Sequence, residues 1–277
     1  LKCSSCRSSC FVRAANRQGV RRVVKTTIAR IAPLNRQSME ECRLRLDHLI
    51  KPLNSLGAFE KLACQLAGIF GVSRPQLPPC SLLLAGCGAK RPNAMTRVFA
   101  DHIGSRLVWF DAAQGQGGEQ TGMQAAMEAG IQAARREVAK GARILGLGTL
   151  GSGDAEIAGV AGLVLGAASE RAAVVLDDAA TLAGALSAVQ LAPLAKYYLI
   201  GSHSIDGVGS EETIRRLDLK TYLNVGLNLG EGTGAALGIS LLQASLHVLN
   251  DMKTFGEADV PVAEDGPGSC ACDRMLR

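Results

Sequence analysis

Three glycines at alternate positions flank one acid in Gly230-Glu231-Gly232-Thr233-Gly234, inside the longer run from Leu229 to Leu237. Glycine lets the backbone adopt positive φ and approach a ligand closely. An Ala/Leu-rich helical pattern begins at once beyond it, and the start of a helix offers N–H groups and partial positive charge that suit a phosphate or carboxylate. An acid at such a place would be repelled by a bound anion. It suits instead a proton to be removed or a cationic group, which makes Glu231 the candidate general base. The bland alternative is an acid that merely complements a helix terminus. Leu229, Gly230, Gly232, Thr233 and Gly234 are the residues expected to frame a ligand around it.

A second glycine cluster, Gly146-Leu147-Gly148-Thr149-Leu150-Gly151, has the form G-x-G-x-x-G, and Asp177-Asp178 closes the next apolar run. That layout describes a dinucleotide site and hence an oxidoreductase. The helical pattern after it starts late, however, behind Ser152-Gly153-Asp154. Gly148, Thr149, Leu150 and Gly151 therefore read better as a loop for a mononucleotide phosphate or ribose. Asp177-Asp178 suits ribose hydroxyls or a metal, or is simply a solvated loop. Ser202-His203 lacks the G-x-S-x-G elbow of a serine hydrolase. The remaining histidines, His48, His102 and His247, have no metal-ligand spacing.

These residues need rigid elements to position them. Short apolar runs at 81–85, 107–110, 143–147, 173–176 and 197–200 predict buried strands. Helical segments at 118–139, 154–169 and 179–190 lie between them, and a long one covers 233–252. Strand–helix alternation of this kind predicts a doubly wound, Rossmann-like parallel sheet. Ligands bind beyond the C-terminal strand ends of such sheets, so residues 146–151, 177–178 and 201–203 should share a rim. Ser38 and Glu41 have the form of a capping box, predicting a helix from Ser38 to about Ile50. A second amphipathic helix runs from Ser55 to about Ile69. With the C-terminal segment these form a small helical lobe. The domain reading is a basic arm over 1–37 without fixed structure, an α/β domain over 38–262 (lobe 38–72, sheet core 80–262) and a tail over 263–277.

Composition narrows the function classes. The chain has 277 residues, 47% hydrophobic, and carries a net charge of +5. Residues 1–39 hold nine Lys/Arg and no acid, which leaves 21 basic against 25 acidic residues in the remainder. The globular part is thus mildly acidic and predicts no nucleic-acid partner. Aromatic residues are 4% of the chain, too few for a base-stacking surface. The arm is Ser/Arg-rich, as transit peptides are, so an organellar location stands beside a cytoplasmic one. The chain opens with Leu1, so residues ahead of it are expected. The apolar run Ile157 to Ala168 is too short to span a bilayer, and no membrane partner is expected. Cys42, Cys64, Cys80 and Cys87 read as small buried hydrophobes in a reducing compartment. The arm's Cys3-x2-Cys6-x3-Cys10 has no nearby histidine to complete a metal site.

Taken together, the motifs resemble the nicotinate-nucleotide:dimethylbenzimidazole phosphoribosyltransferase family of cobalamin lower-ligand activation. The segments that carry the likeness are Lys51-Pro52-x-x-Ser55-Leu56-Gly57, Gly146-x-Gly148-x-Leu150-Gly151, Glu156-Ile157-Ala158-Gly159, Val174-Val175-Leu176-Asp177, Leu191-Ala192-Pro193, Ser202-His203, Leu229–Leu237 and Met252-x-Thr254-Phe255. They cover roughly residues 40–70 and 142–262. The resemblance implies a homodimer that needs no cofactor and no metal. It implies transfer of phosphoribose from nicotinate mononucleotide to a benzimidazole-type base, giving α-ribazole phosphate and nicotinate, with Glu231 as the base. This chain departs from the family pattern in four places. Thr149 stands where the family has a second glutamate. Gly86-Cys87-Gly88-Ala89-Lys90 replaces an Ala-Asp-His-Gly-Val turn, and the helix that follows is not recognisable in 91–105. A segment with a phosphate-binding lysine is missing between Gly153 and Glu156, which leaves Lys90, Arg91 and Arg97 as substitutes. Asn228 replaces an arginine. A degenerate member that binds nucleotide or pairs with an active subunit is the alternative.

Overall fold

The computed structural model describes residues 22–88, 90–113, 119–204, 209–227 and 229–258. In chain order the elements are α1 (Arg22–Ala29), α2 (Arg36–Asp47), α3 (Ala58–Phe70), β1 (Cys80–Gly86), α4 (Ala94–His102), β2 (Arg106–Asp111), α5 (Glu119–Ala139), β3 (Ile144–Thr149), α6 (Asp154–Ser169), β4 (Ala173–Val175), α7 (Ala179–Leu191), β5 (Leu199–Ile200), α8 (Ser210–Leu217) and α9 (Thr233–Asp251). The chain divides into two compact units, one of residues 1–34 and 78–241, the other of 35–77 and 242–277, so the division falls within α9.

The larger unit is built on a five-stranded sheet in the order β2-β1-β3-β4-β5, every pair parallel. This is the doubly wound α/β fold that strand–helix alternation predicts. Strands β1, β3 and β4 are buried along their whole length, which is why they read as unbroken apolar runs. Chain order reverses at β1, whose neighbours are β2 and β3. In doubly wound sheets a reversal of this kind leaves a crevice at the C-terminal ends of the strands. Helix α6 is buried from Glu156 through Ser169. It is apolar on every face because it lies inside the protein. Glycines bring it against α5: a Cβ on Gly130 would overlap the carbonyl of Gly159, and one on Gly162 the carbonyl of Met127.

The smaller unit holds α2 and α3 with the end of α9. Arg45 reaches Leu249 O (3.1 Å) and pairs with Glu257 (3.0 Å). Lys51 pairs with Glu60 at 2.9 Å, and Ser245 Oγ donates to Phe59 O at 2.6 Å.

Several local expectations need correction. Residues 22–37 were expected to belong to an unstructured arm. Instead α1 packs on the sheet unit, with Val24 and Ile31 buried and Arg30 paired to Glu170 at 3.0 Å. A short apolar face hidden among arginines is enough to dock it. The cap of α2 is Asn35, whose side chain accepts from Ser38 N, not Ser38 itself. Strand β5 is shorter than predicted because residues 193–198 form a 3-10 turn, and Tyr198 Oη donates to Ala32 O at 2.8 Å. Helices α4 and α8 were not anticipated. Residues 1–21 and 259–277, which include the arm cysteines and the tail, lie outside the described residues.

Candidate active site

The loops that leave β3 and β4 meet the loop ahead of α9 around a cavity of about 400 Å³. Thr149, Leu150, Gly151 and Ser152 form one wall, Asp177, Asp178, Ala179 and Ala180 a second. His203, Leu227, Leu229, Gly230 and Glu231 complete it. The volume lies within the range of small-molecule sites. The three rim segments expected from the strand pattern therefore converge.

The structure sorts the ten residues singled out in the sequence into two groups. Thr149, Leu150, Gly151, Leu229, Gly230 and Glu231 line the cavity. Gly148, Gly232, Thr233 and Gly234 do not; they pack behind it and hold its shape. A Cβ on Gly148 would overlap Gly232 N, and one on Gly234 would overlap the His203 ring and stand 2.6 Å from Asp177 Oδ1. Thr233 is fully buried, and its hydroxyl donates to Gly230 O at 2.8 Å, closing the turn.

The start of α9 was expected to present open N–H groups to an anion. It does not, because Asp177 fills that place. Gly232 N donates to Asp177 Oδ2 (2.7 Å), and Gly234 N and Ala235 N donate to Oδ1 (2.6 and 3.1 Å). Asp177 is 1% exposed, so it is no solvated loop residue. Burial, and after it the charge of Asp178, push its carboxyl up to about 7, while the three N–H donors act in the opposite sense. Asp178 is likewise raised by burial. Asp178 caps α7 through Thr181 N (2.7 Å) and accepts from Thr149 Oγ1 (3.0 Å).

Glu231 lies at the centre of a left-handed turn, with φ of +69°, +54° and +84° at residues 230–232. A non-glycine residue in this region costs about 1–2 kcal/mol. Such a cost persists only where surrounding contacts fix it. Here the contacts come from α4: Glu231 Oε2 accepts from Asn93 N at 3.0 Å and from Thr96 Oγ1 at 3.2 Å. Oε1 accepts no hydrogen bond among the described residues, and it is not among the buried unpaired polar atoms. One oxygen is anchored and the other remains available. The bland reading therefore holds for half the carboxylate: it does complement a helix terminus, that of α4 and not that of its own helix. Asn93 and Thr96 were missed in the sequence. The only signal was Asn93 three residues before Thr96, the spacing of an N-cap, and the structure confirms the Asn93–Thr96 N bond at 2.9 Å.

Neighbouring groups limit the chemistry. Ser202 Oγ donates its one proton to Leu176 O at 2.6 Å, so in the 3.0 Å contact with His203 it must accept from Nδ1–H. A serine committed in this way is no nucleophile. Burial, then a hydrogen bond to Glu156, push the Cys87 thiol up to about 12, which keeps it protonated. Lys90 Nζ donates to Leu150 O at 3.2 Å, placing a cation beside the 149–152 loop. Arg91 lies over the Trp109 ring, 3.9 Å from its centroid, and belongs to a different surface. No group of three or more metal-ligating side chains occurs among the described residues.

A doubly wound sheet with a glycine-framed carboxylate in its rim crevice defines the class: an α/β enzyme acting on a nucleotide-sized ligand. Comparison with known proteins is specific. The family model DBI_PRT, described as phosphoribosyltransferase, matches residues 31–88 and 152–260. The nicotinate-nucleotide–dimethylbenzimidazole phosphoribosyltransferase of Roseiflexus sp. (strain RS-1) is 30% identical over an alignment of 345 residues, covering 86% of this chain and 98% of that relative. The enzyme of the same name from Geobacter sp. (strain M21) is 48% identical over 108 residues, 39% of this chain and 31% of its own. The crystal structure of the enzyme of that name from Thermus thermophilus superposes with a TM-score of 0.71 at 24% identity, covering 83% of this chain and all of the other, which supports the fold. The chain belongs to this phosphoribosyltransferase family. The family match breaks between residues 88 and 152, the interval that contains α4, β2, α5 and β3.

Proposed function

We infer that the chain transfers phosphoribose from nicotinate mononucleotide to a benzimidazole-type base, releasing nicotinate and forming α-ribazole phosphate. The observation that carries this reading is Glu231, one carboxylate oxygen fixed by α4 and the other free, on the wall of a cavity at the sheet's rim. In the reaction the bond from C1′ to the nicotinate nitrogen breaks, and the pyridine leaves with the electron pair. A ring nitrogen of the acceptor bonds to C1′. As it does, the acceptor's other nitrogen becomes acidic and passes its proton to Glu231 Oε1. The Glu231 carboxylate on this wall suits the cationic pyridinium of the donor and the positive charge that develops at C1′. It does not suit a phosphate, which we assign to the 149–152 loop, within reach of Lys90. The family's usual homodimer and a cytoplasmic location complete the proposal. Among the described residues no helix is long and apolar enough to cross a membrane.

The test is chromatographic. The purified chain, given nicotinate mononucleotide and 5,6-dimethylbenzimidazole, should release nicotinate and form α-ribazole phosphate together. Glu231→Gln should lower kcat by about 10²–10⁴. Equal turnover of the two proteins would remove the base role. A second reading has its own support, since the alignment with the Roseiflexus enzyme runs over 345 residues but engages 86% of this chain, and Thr149 stands at a position where a glutamate is expected. Under it the chain binds nucleotide and leaves transfer to a partner. Calorimetric binding of nicotinate mononucleotide with no product would select that reading.

A further inference from the structure

Glu231 has two oxygens, and α4 treats them differently. Asn93, the N-cap of α4, points its backbone N–H at Oε2 (3.0 Å), while its side-chain Oδ1 accepts from Thr96 N (2.9 Å). The Thr96 hydroxyl lies 3.1 Å from Asn93 Oδ1 and 3.2 Å from Glu231 Oε2. It carries one proton, and Asn93 Oδ1 already has a donor, so the proton is better placed on the carboxylate, where the bond is charge-assisted. Thr96 is fully buried, so water cannot replace that donor without rearrangement. The residue lies in the 89–151 interval that the family match leaves out.

We propose that Thr96 is a positioning residue for the transfer reaction: with the Asn93 N–H it occupies Oε2 of Glu231 and so makes Oε1 the atom that takes the proton. The proposal rests on the function inferred above. It assigns a division of labour within one carboxylate. Two donors on Oε2 hold the side chain across the turn against the cost of its positive φ. A proton delivered to Oε1 then meets a carboxylate already oriented, with no rotamer search at the moment of reaction.

Two variants separate this role from simple packing. Thr96→Val keeps the shape and removes the hydroxyl, and Thr96→Ser keeps the hydroxyl and removes the methyl. In the transfer assay Thr96→Val is expected to lose about tenfold in kcat, the usual effect of a lost hydrogen bond to a charged group. KM for nicotinate mononucleotide should stay within about twofold, as expected when a group acts in the transition state alone. Thr96→Ser should restore kcat. A valine variant with wild-type kcat overturns the proposal, as does a serine variant as impaired as valine. If valine fails to fold, Thr96→Ala deletes the same hydroxyl with less steric demand. A second readout is independent of turnover. The side-chain carboxyl carbon of Glu231, assigned by its loss in Glu231→Gln, is observed by NMR in the full chain at a single pH. Its resonance should shift in Thr96→Val and not in Thr96→Ser, and an unmoved resonance in the valine variant would refute the assignment. Absence of product from the wild-type chain would reject the inferred reaction, and the spectrum would still decide what Thr96 does to Glu231.

Discussion

At the scale of single residues, the cavity wall carries Asp177, Asp178 and Glu231, and Lys90 borders it at the 149–152 loop. Lys90 is exposed, and its Nζ donates to the loop carbonyl of Leu150. Arg91 is engaged with Trp109, and of the candidate substitutes Lys90, Arg91 and Arg97 for a phosphate-binding lysine, Lys90 is the one with a hydrogen bond to the 149–152 loop. Lys90→Met should raise KM for nicotinate mononucleotide by about 10-fold or more, the range of a lost charged hydrogen bond, with kcat changed far less. Steady-state kinetics with the nucleotide varied would check it, and an unchanged KM would place the phosphate elsewhere. Glu231 was legible in the sequence because glycines on both sides announce a residue held in an unusual backbone conformation. Asp177 was legible only as a rim acid. Its work at the start of α9 depends on Gly232, Gly234 and Ala235, more than fifty positions away, and no local pattern carries that information.

At the scale of elements, the contact between α5 and α6 depends on the absence of side chains. Gly162 lies against the carbonyl of Met127, which leaves no room for a methyl group. Alanine there gains helix propensity of about 1 kcal/mol. It must also push two packed helices apart, at about 1–3 kcal/mol. The backbone contact should win, so Gly162→Ala is expected to lower the thermal midpoint by a few degrees, roughly 2–4 °C per kcal/mol for a chain of this size. A stabilised variant in a thermal melt would show that the helices can yield. The buried strands and long helices were legible because their residues are apolar in runs or at regular spacing. Helices α4 and α8 were not, being 9 and 8 residues long and polar along much of their length. Short helices depend on tertiary contacts for their stability. For α4 one of those contacts is the carboxylate of Glu231 itself, so the helix that the sequence concealed and the residue it displayed stabilise each other.

At the scale of the whole molecule, two buried carboxyls set opposite limits on stability with pH. Glu137 joins β1, β2 and α5, accepting from Ser81 Oγ at 2.9 Å and Arg106 Nε at 3.0 Å and pairing with Lys140 at 2.7 Å. Burial alone would raise its carboxyl, but these partners outweigh it and hold it below its ordinary value. Its contribution is therefore present above the unfolded value near 4.5 and is lost as pH falls below it. Asp177 has the reverse sign. Its folded value is raised from 3.8 to about 7, so its contribution is full below 3.8 and is lost as pH rises through 7. Chemical denaturation across pH should give a maximum on the mildly acidic side of neutrality, and Asp177→Asn should flatten the limb between pH 4 and 7. A maximum in alkaline solution, unmoved by that substitution, would contradict the assignment.

The occupied start of α9 has a consequence for selectivity. Doubly wound proteins commonly seat a phosphate at such a helix mouth, and inorganic phosphate or sulfate then competes for the seat. Here the polypeptide supplies its own permanent tenant from the end of β4. Free oxyanions therefore have nothing to displace on that side of the crevice.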